Sequence, residues 1–239
     1  MFHLLVATDY LARHYGSTFV GNRPIKQIYY GVDTQVFRPL KRHECAAELG
    51  VRPSSRFVVG LFHSDVTDPR KGFLPLLANM KALSQSERDR FGLLVVGHGS
   101  TRAKEYASEG LDVTSLPFLR SDHELAAALN LCDVLLYPTK AENLSLMCLC
   151  SLSCGVPVVS SNEGGQGEAV RDGVNGFLCG ADQADEFIGY VARIAEDSKL
   201  SERLSYGARQ TAVRQFDIRK YVGNLIGYYE RLIREEEQG

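Results

Sequence analysis

The sequence predicts an α/β fold, a parallel sheet wrapped on both faces by helices. Three observations carry this expectation. Short apolar runs alternate with stretches of helical spacing over residues 57–179. The connections between them are short. From residue 182 onward the pattern is wholly helical. Strand–helix–strand crossovers are almost always right-handed, so the economical topology is a doubly wound, Rossmann-like sheet followed by C-terminal helices.

Each element follows from local pattern. Residues 57–62, Phe-Val-Val-Gly-Leu-Phe, are predicted as a strand. Over 73–83, Leu76, Leu77, Met80 and Leu83 share one helical face. Residues 93–96 form a second strand ended by Gly97-His98-Gly99, and 101–108 a short helix. Strands at 113–116 and 134–137 flank a helix at 122–131 that starts on Asp122. A helix at 144–153 precedes strands at 158–160 and 176–179. Two apolar stripes then mark helices: Phe187, Tyr190, Val191 and Ile194, and Tyr221, Leu225, Tyr228, Tyr229 and Leu232. The charged tail 234–239 is expected to fray. The first forty residues depart from the alternation, with a helix predicted at 9–14, a strand at 25–30 and a turn at Gly31-Val32-Asp33.

Composition narrows the function classes. The chain has 239 residues and a net charge of −2. Its Lys and Arg residues are scattered, without the basic stripe of a nucleic-acid binder. No apolar run is long enough to span a bilayer, while peripheral membrane contact stays open. Residues 1–8 lack a basic flank and a full apolar signal segment. The six cysteines do not form a secreted disulfide pattern, and five sit in or beside apolar runs, so a cytoplasmic protein is expected. Cys150 and Cys154 lie four apart, but no His or Cys-x-x-Cys supports a metal site, and packing is the better reading.

One stretch concentrates the chemistry. The apolar run 134–137 is followed by Pro138-Thr-Lys-Ala-Glu142 and then by a small-residue helix. In parallel sheets ligands gather where strands end and helices begin. Glu142 is therefore a candidate for meeting a polar ligand, with helix-dipole interaction as its structural alternative. The amides of Asn143, Leu144, Ser145 and Leu146 are candidates for receiving ligand oxygens. Lys71, with Arg70 beside it, offers a fixed cation for phosphate charge, with a solvated loop cation as its structural alternative; His63 competes with Arg70 for the supporting role. Gly164 and Gly165 could bring bare amides close to a ligand, although glycine turns often serve only backbone geometry. Glu168 is read as a cap of its own helix. His98 sits at the cleft edge, and Gly97-His98-Gly99 lacks the ending of a phosphate-cradling P-loop. Phe118, read on its own, is ordinary ring packing. Spacing shows no Ser-His-Asp set.

In order, these motifs resemble the carboxy-terminal, donor-binding half of retaining glycosyltransferases of family 4, which have the GT-B fold. The quoted residues are Tyr30-Gly31-Val32-Asp33 with Phe37-Arg38-Pro39, Lys71-Gly72, Gly97-His98-Gly99, Pro138 to Glu142, Gly155 to Val159, Gly164-Gly165-Gln-Gly-Glu168 and Asp172-Gly173-Val-Asn-Gly176. The resemblance covers roughly residues 25 to 230. It implies a single GT-B half: residues 1–40 as a remnant of an acceptor lobe with its linker, 41–215 as the nucleotide-sugar-binding domain, and 216–239 as a C-terminal helix. It implies transfer of a sugar from a nucleotide-sugar with retention, needing no metal or other cofactor. Glu142 and Lys71 would be catalytic. Arg70, Asn143, Leu144, Ser145, Leu146, Gly164, Gly165 and, at the nucleobase, Phe118 would bind donor. An acceptor lobe on another chain is an open partner, and nucleic acid is not one. The sequence departs from the family where Cys150 replaces the second Glu of its Glu-x7-Glu element and Leu61 replaces an Arg after Gly60. A non-catalytic nucleotide-sugar-binding or interaction module is the alternative.

Overall fold

The computed structural model describes residues 3–18, 21–103 and 110–237. The chain opens with β1 (Leu4–Val6), α1 (Asp9–Gly16) and β2 (Ile25–Gln27), and the two strands pair in parallel. The expected strand at 25–30 is thus shorter, and beyond Gln27 one further bond, Ile28 N–H to the Val6 carbonyl, extends the pairing. After α2 (Arg42–Glu48) the main body follows. It runs β3 (Phe57–Asp65), α3 (Phe73–Ala82), α4 (Gln85–Arg88), β4 (Phe91–His98), β5 (Asp112–Leu116), α5 (Asp122–Leu129), β6 (Val134–Tyr137), α6 (Leu146–Ser153), β7 (Val158–Ser161), α7 (Gln166–Ala169) and β8 (Gly176–Cys179). Helices α8 (Ala184–Glu196), α9 (Ser198–Gln215) and α10 (Ile218–Glu237) close it. Most of the helix expected at 101–108 lies outside the described residues.

The six strands of the main sheet are ordered β5-β4-β3-β6-β7-β8, with every pairing parallel. This is the doubly wound α/β fold that the sequence predicts. The chain builds outward from β3 in one direction and from β6 in the other. A crevice therefore opens between their carboxyl ends, where the connections diverge to opposite faces.

Strand side chains sort cleanly by parity. Val58, Phe62, Leu94, Val96, Leu135 and Tyr137 join one core with α5, α6 and α9. Val59, Leu61, Leu93, Val95, Val134 and Leu136 join the other with α3 and α8. Both faces are covered, so the strands read as continuous apolar runs rather than alternating ones. All six cysteines are free and buried.

Among the boundaries that differ from expectation are two at helix ends. Helix α6 begins at Leu146 because the Ser145 hydroxyl accepts from the Cys148 N–H as an N-cap. Helix α10 continues to Glu237, so residues 234–237 are helical rather than frayed. On α10, Tyr228 is buried, while Tyr229, expected on the inner stripe, is half exposed. It belongs to a neighbouring stripe of exposed residues with Val222, Ile226 and Ile233.

The chain crosses itself where α9 gives way to α10. Val32 N–H donates to the Phe216 carbonyl at 2.7 Å, and Ile218 N–H donates to the Val32 carbonyl at 3.0 Å. Asp217 is buried beside this crossing and takes bonds from Thr34 and Arg219, which hold its carboxyl well below the usual carboxylate range.

Candidate functional site

The site forms at the carboxyl ends of β3 and β6. After β3, a 3-10 turn at Pro69–Lys71 is capped by Asp68, whose carboxylate accepts from the Arg70 N–H at 2.9 Å. Lys140 N–H, in the loop after β6, donates to the Arg70 carbonyl at 2.7 Å. That bond ties the two loops together and brings Lys71 Nζ to 3.3 Å from Glu142 Oε2. Both side chains are about four-fifths buried, at 19% and 22% exposed. Glu142 Oε2 also accepts from the Tyr137 hydroxyl at 2.9 Å, and Glu142 Oε1 from the Asn143 N–H at 3.1 Å.

His63, near the end of β3, lies under this group. Its ring centroid is 4.7 Å from that of Tyr137, and its Nε2 is buried without a hydrogen-bond partner. Burial, reinforced by the Lys71 charge, lowers its pKa to about 3, so the ring is neutral at pH 7. A folded value below the unfolded 6.5 gives stability that is full above the unfolded value and is lost as pH falls toward 3. Within that window stability should drop by about 1.4 kcal/mol per pH unit. Asp68 and Asp217, held low by their arginine partners, and Glu44, Asp65 and Glu87, held low by their own hydrogen bonds, lose stability only as pH falls from about 5, where the unfolded chain begins to take up protons. Urea unfolding between pH 6.5 and 5.5 therefore isolates His63. His63→Gln should flatten the slope there; an unchanged slope would assign the loss to other groups.

The structure separates the two neighbouring cations. Lys71 turns toward Glu142. Arg70 turns back onto Asp68 with an N···O distance of 2.7 Å and a side chain 75% exposed, and does not join the Lys71–Glu142 group. Leu61 is fully buried in the core under α3, so the position after Gly60 offers no cation. Cys150 is buried, and burial raises its thiol well above the ordinary value; it presents no acceptor to solvent.

The amides after Glu142 have different environments. Ser145 N–H is taken by the side-chain oxygen of buried Gln166 at 2.9 Å, so it serves the fold and is not free for a ligand in this conformation. Leu144 is buried and Leu146 is half exposed. Gly165 N–H donates to the Asn143 carbonyl at 2.6 Å, and Gly164 lies directly against the Glu142 carbonyl. The Asn143 side chain accepts from the Thr8 hydroxyl at 2.6 Å. Glu168 does not cap its own helix: it accepts from the N–H groups of Asp9 and Tyr10, satisfying the start of α1. The unit from β1 to β2 is thus fastened to the rim of the site. At the far edge, Phe118 is 42% exposed and stacks flat on His98, with centroids 4.9 Å apart and planes 1° from parallel.

Sequence reasoning missed Tyr137, Thr8 and Gln166. Tyr137 ends an apolar run and reads as core. A signal was present in its hydroxyl, since buried tyrosines generally find a partner. Thr8 and Gln166 act through contacts far apart in sequence. Among the described residues, no group of three or more His, Cys, Asp or Glu is placed to hold a metal ion, and no helix is long and apolar enough to cross a membrane.

A family model described as glycosyl transferases group 1 matches residues 61–211. A D-inositol 3-phosphate glycosyltransferase of Geodermatophilus obscurus is 34% identical over 232 residues, covering 92% of this chain and 49% of the relative. Among solved structures, Anabaena HepE in complex with UDP-glucose superposes with a TM-score of 0.79 at 21% identity, over 95% of this chain and 63% of that one. The C-terminal domain of a glycosyl transferase group 1 family protein from Francisella tularensis gives a TM-score of 0.65 at 19% identity, over 79% of this chain and all of that domain. The chain spans about half the length of the curated relatives it matches.

Proposed function

Since this chain belongs to the glycosyl transferases of group 1, we propose that the crevice between β3 and β6 binds a nucleotide-sugar and supports transfer of its sugar with retention, as in family 4. The observation that carries this reading is the Lys71–Glu142 pair, a cation and a carboxylate 3.3 Å apart at the divergence of the sheet. A nucleotide-sugar presents the matching chemistry, a diphosphate beside a polyhydroxylated ring. Lys71 offsets charge that builds on the leaving diphosphate. Glu142 accepts hydroxyls of the transferred sugar. The amides of Leu144, Leu146 and Gly164 are the proposed oxygen contacts, with Asn143 and Gly165 shaping the rim. Phe118, backed by His98, offers a flat surface to the nucleobase. Arg70 contributes only by exchanging Asp68 for phosphate. In this reading the donor's own phosphate helps to take the acceptor proton, and the protein works by positioning, without a metal or other cofactor.

Residues 1–40 and 216–239 are proposed as the junction with an acceptor lobe, in this polypeptide or on another chain. The two-stranded sheet and the exposed stripe on α10 support that reading. Six free thiols suit the reducing compartment of the cytoplasm. A non-catalytic nucleotide-sugar-binding or interaction module is favoured instead by one pair of observations, Cys150 and Leu61 buried where the family carries charged groups.

Calorimetric titration with UDP-, GDP- and ADP-sugars tests the donor reading. Glu142→Ala should weaken nucleotide-sugar binding roughly 10- to 100-fold through lost charged hydrogen bonds. Free nucleotide binding should hold, because Lys71 is then released from its carboxylate partner. Equal losses for both ligands would remove the sugar role from Glu142.

A further inference from the structure

Glu142 is surrounded by donors that nearly saturate it. A carboxylate offers roughly four acceptor positions. In this structure Oε2 takes the Tyr137 hydroxyl and Lys71, and Oε1 takes the Asn143 N–H. About one position is left, on Oε1. Of the three donors, the Asn143 amide is fixed by the backbone, and Lys71 is the group a diphosphate would recruit. Tyr137 is the remaining side-chain donor, and its ring is held in place. It is buried in the core of the sheet, packs against His63 at 4.7 Å, and has Lys71 Nζ 5.8 Å above its centroid.

We propose that Tyr137 is a positioning residue that orients Glu142 toward a sugar hydroxyl while Lys71 serves the diphosphate. This rests on the donor reading above. The Tyr137 hydroxyl keeps Oε2 turned into the protein, which leaves the open position of Oε1 facing the crevice. Burial, with Cys148 and Glu142 nearby, raises the phenol pKa far above its ordinary value, so the hydroxyl remains a donor across the working pH range. Without it the carboxylate is free to rotate onto Lys71. That rotation withdraws the acceptor from the sugar, while the ammonium stays where a diphosphate reaches it.

The test is a double-mutant cycle read by calorimetry on the full chain, with whichever UDP-, GDP- or ADP-sugar the wild type binds and its free nucleoside diphosphate. Tyr137→Phe removes one oxygen and keeps the ring, so the core is retained. Nucleotide-sugar affinity should fall about 10-fold, as expected for one hydrogen bond to a charged group, with free-nucleotide affinity within about twofold of wild type. In the Glu142→Ala background, Tyr137→Phe should cause no further loss, whereas a purely structural role would give the same loss in both backgrounds. Wild-type binding that is unchanged by Tyr137→Phe, or additive losses, overturns the inference and leaves the donor reading standing. No binding by folded wild type overturns both. If Tyr137→Phe lowers the melting temperature strongly, Tyr137→His, which keeps a ring donor, serves as the second variant. It should restore part of the sugar preference, and failure to do so counts against the inference.

Discussion

Lys71→Met should weaken free nucleoside diphosphate and nucleotide-sugar together, each by about 100-fold. The Lys71 side chain is only 19% exposed and its ammonium faces a carboxylate at 3.3 Å, so its charge is compensated but not consumed. An arriving diphosphate brings more negative charge than Glu142 and competes for the same three N–H donors. A charge-assisted contact in a partly desolvated site contributes roughly 1.5–3 kcal/mol, and a 100-fold loss corresponds to about 2.7 kcal/mol. Methionine keeps the unbranched stem and packing of lysine. Glu142 retains the Tyr137 and Asn143 donors, so the site need not collapse. Paired titrations with nucleotide and nucleotide-sugar give the answer. A variant that loses only the sugar-bearing ligand would place Lys71 on the sugar. This common loss contrasts with the selective loss expected of Glu142→Ala, and the two variants together separate phosphate recognition from sugar recognition.

Gly164→Ala should be among the most damaging single-methyl changes at the site. Gly164 has φ +62°, a left-handed conformation that costs an alanine about 1–2 kcal/mol. An added Cβ would also run into the Glu142 carbonyl oxygen and crowd the Asn143 carbonyl at 3.4 Å. Both obstacles are backbone, so relief requires moving the loop that carries Glu142. A combined cost of about 3 kcal/mol would lower the melting temperature by roughly 6–12 °C in a chain of this size. Gly173→Ala is the control. It has a similar φ of +68° but no atom within 4 Å of its Cβ position, so it carries the conformational cost alone. Scanning calorimetry distinguishes the two. Equal shifts would mean that the Gly164 loop yields without resistance.

The fold was legible because parallel sheets bury both faces. Runs such as Val134–Tyr137 announce a strand by continuous apolarity, and small residues follow where helices pack on the sheet. The crevice was legible as well, since a carboxylate directly after a buried strand has few places to go. What stayed hidden depended on three-dimensional neighbours. Nothing in Arg70-Lys71 decides which cation faces the crevice; Asp68, two residues back, captures Arg70 and leaves Lys71 to the site. Tyr137 looks like core because it is core, and only its hydroxyl reaches a functional group. Glu168 resembles an ordinary cap, yet the donors it satisfies lie on a helix 158 and 159 residues away. The start of α6 at Leu146 was readable from Ser145 as a capping residue, and the apolar run at Leu144 obscured it.

The sealed sulfhydryls have a practical corollary. The thiolate, not the thiol, is the species that alkylates, and burial pushes Cys148, Cys154 and Cys179 up to about 12. Maleimide or iodoacetamide therefore has no ready handle on the native protein. Every modification event reports an opening of the interior, which makes the chain's own sulfur atoms a built-in clock for its excursions from the closed state.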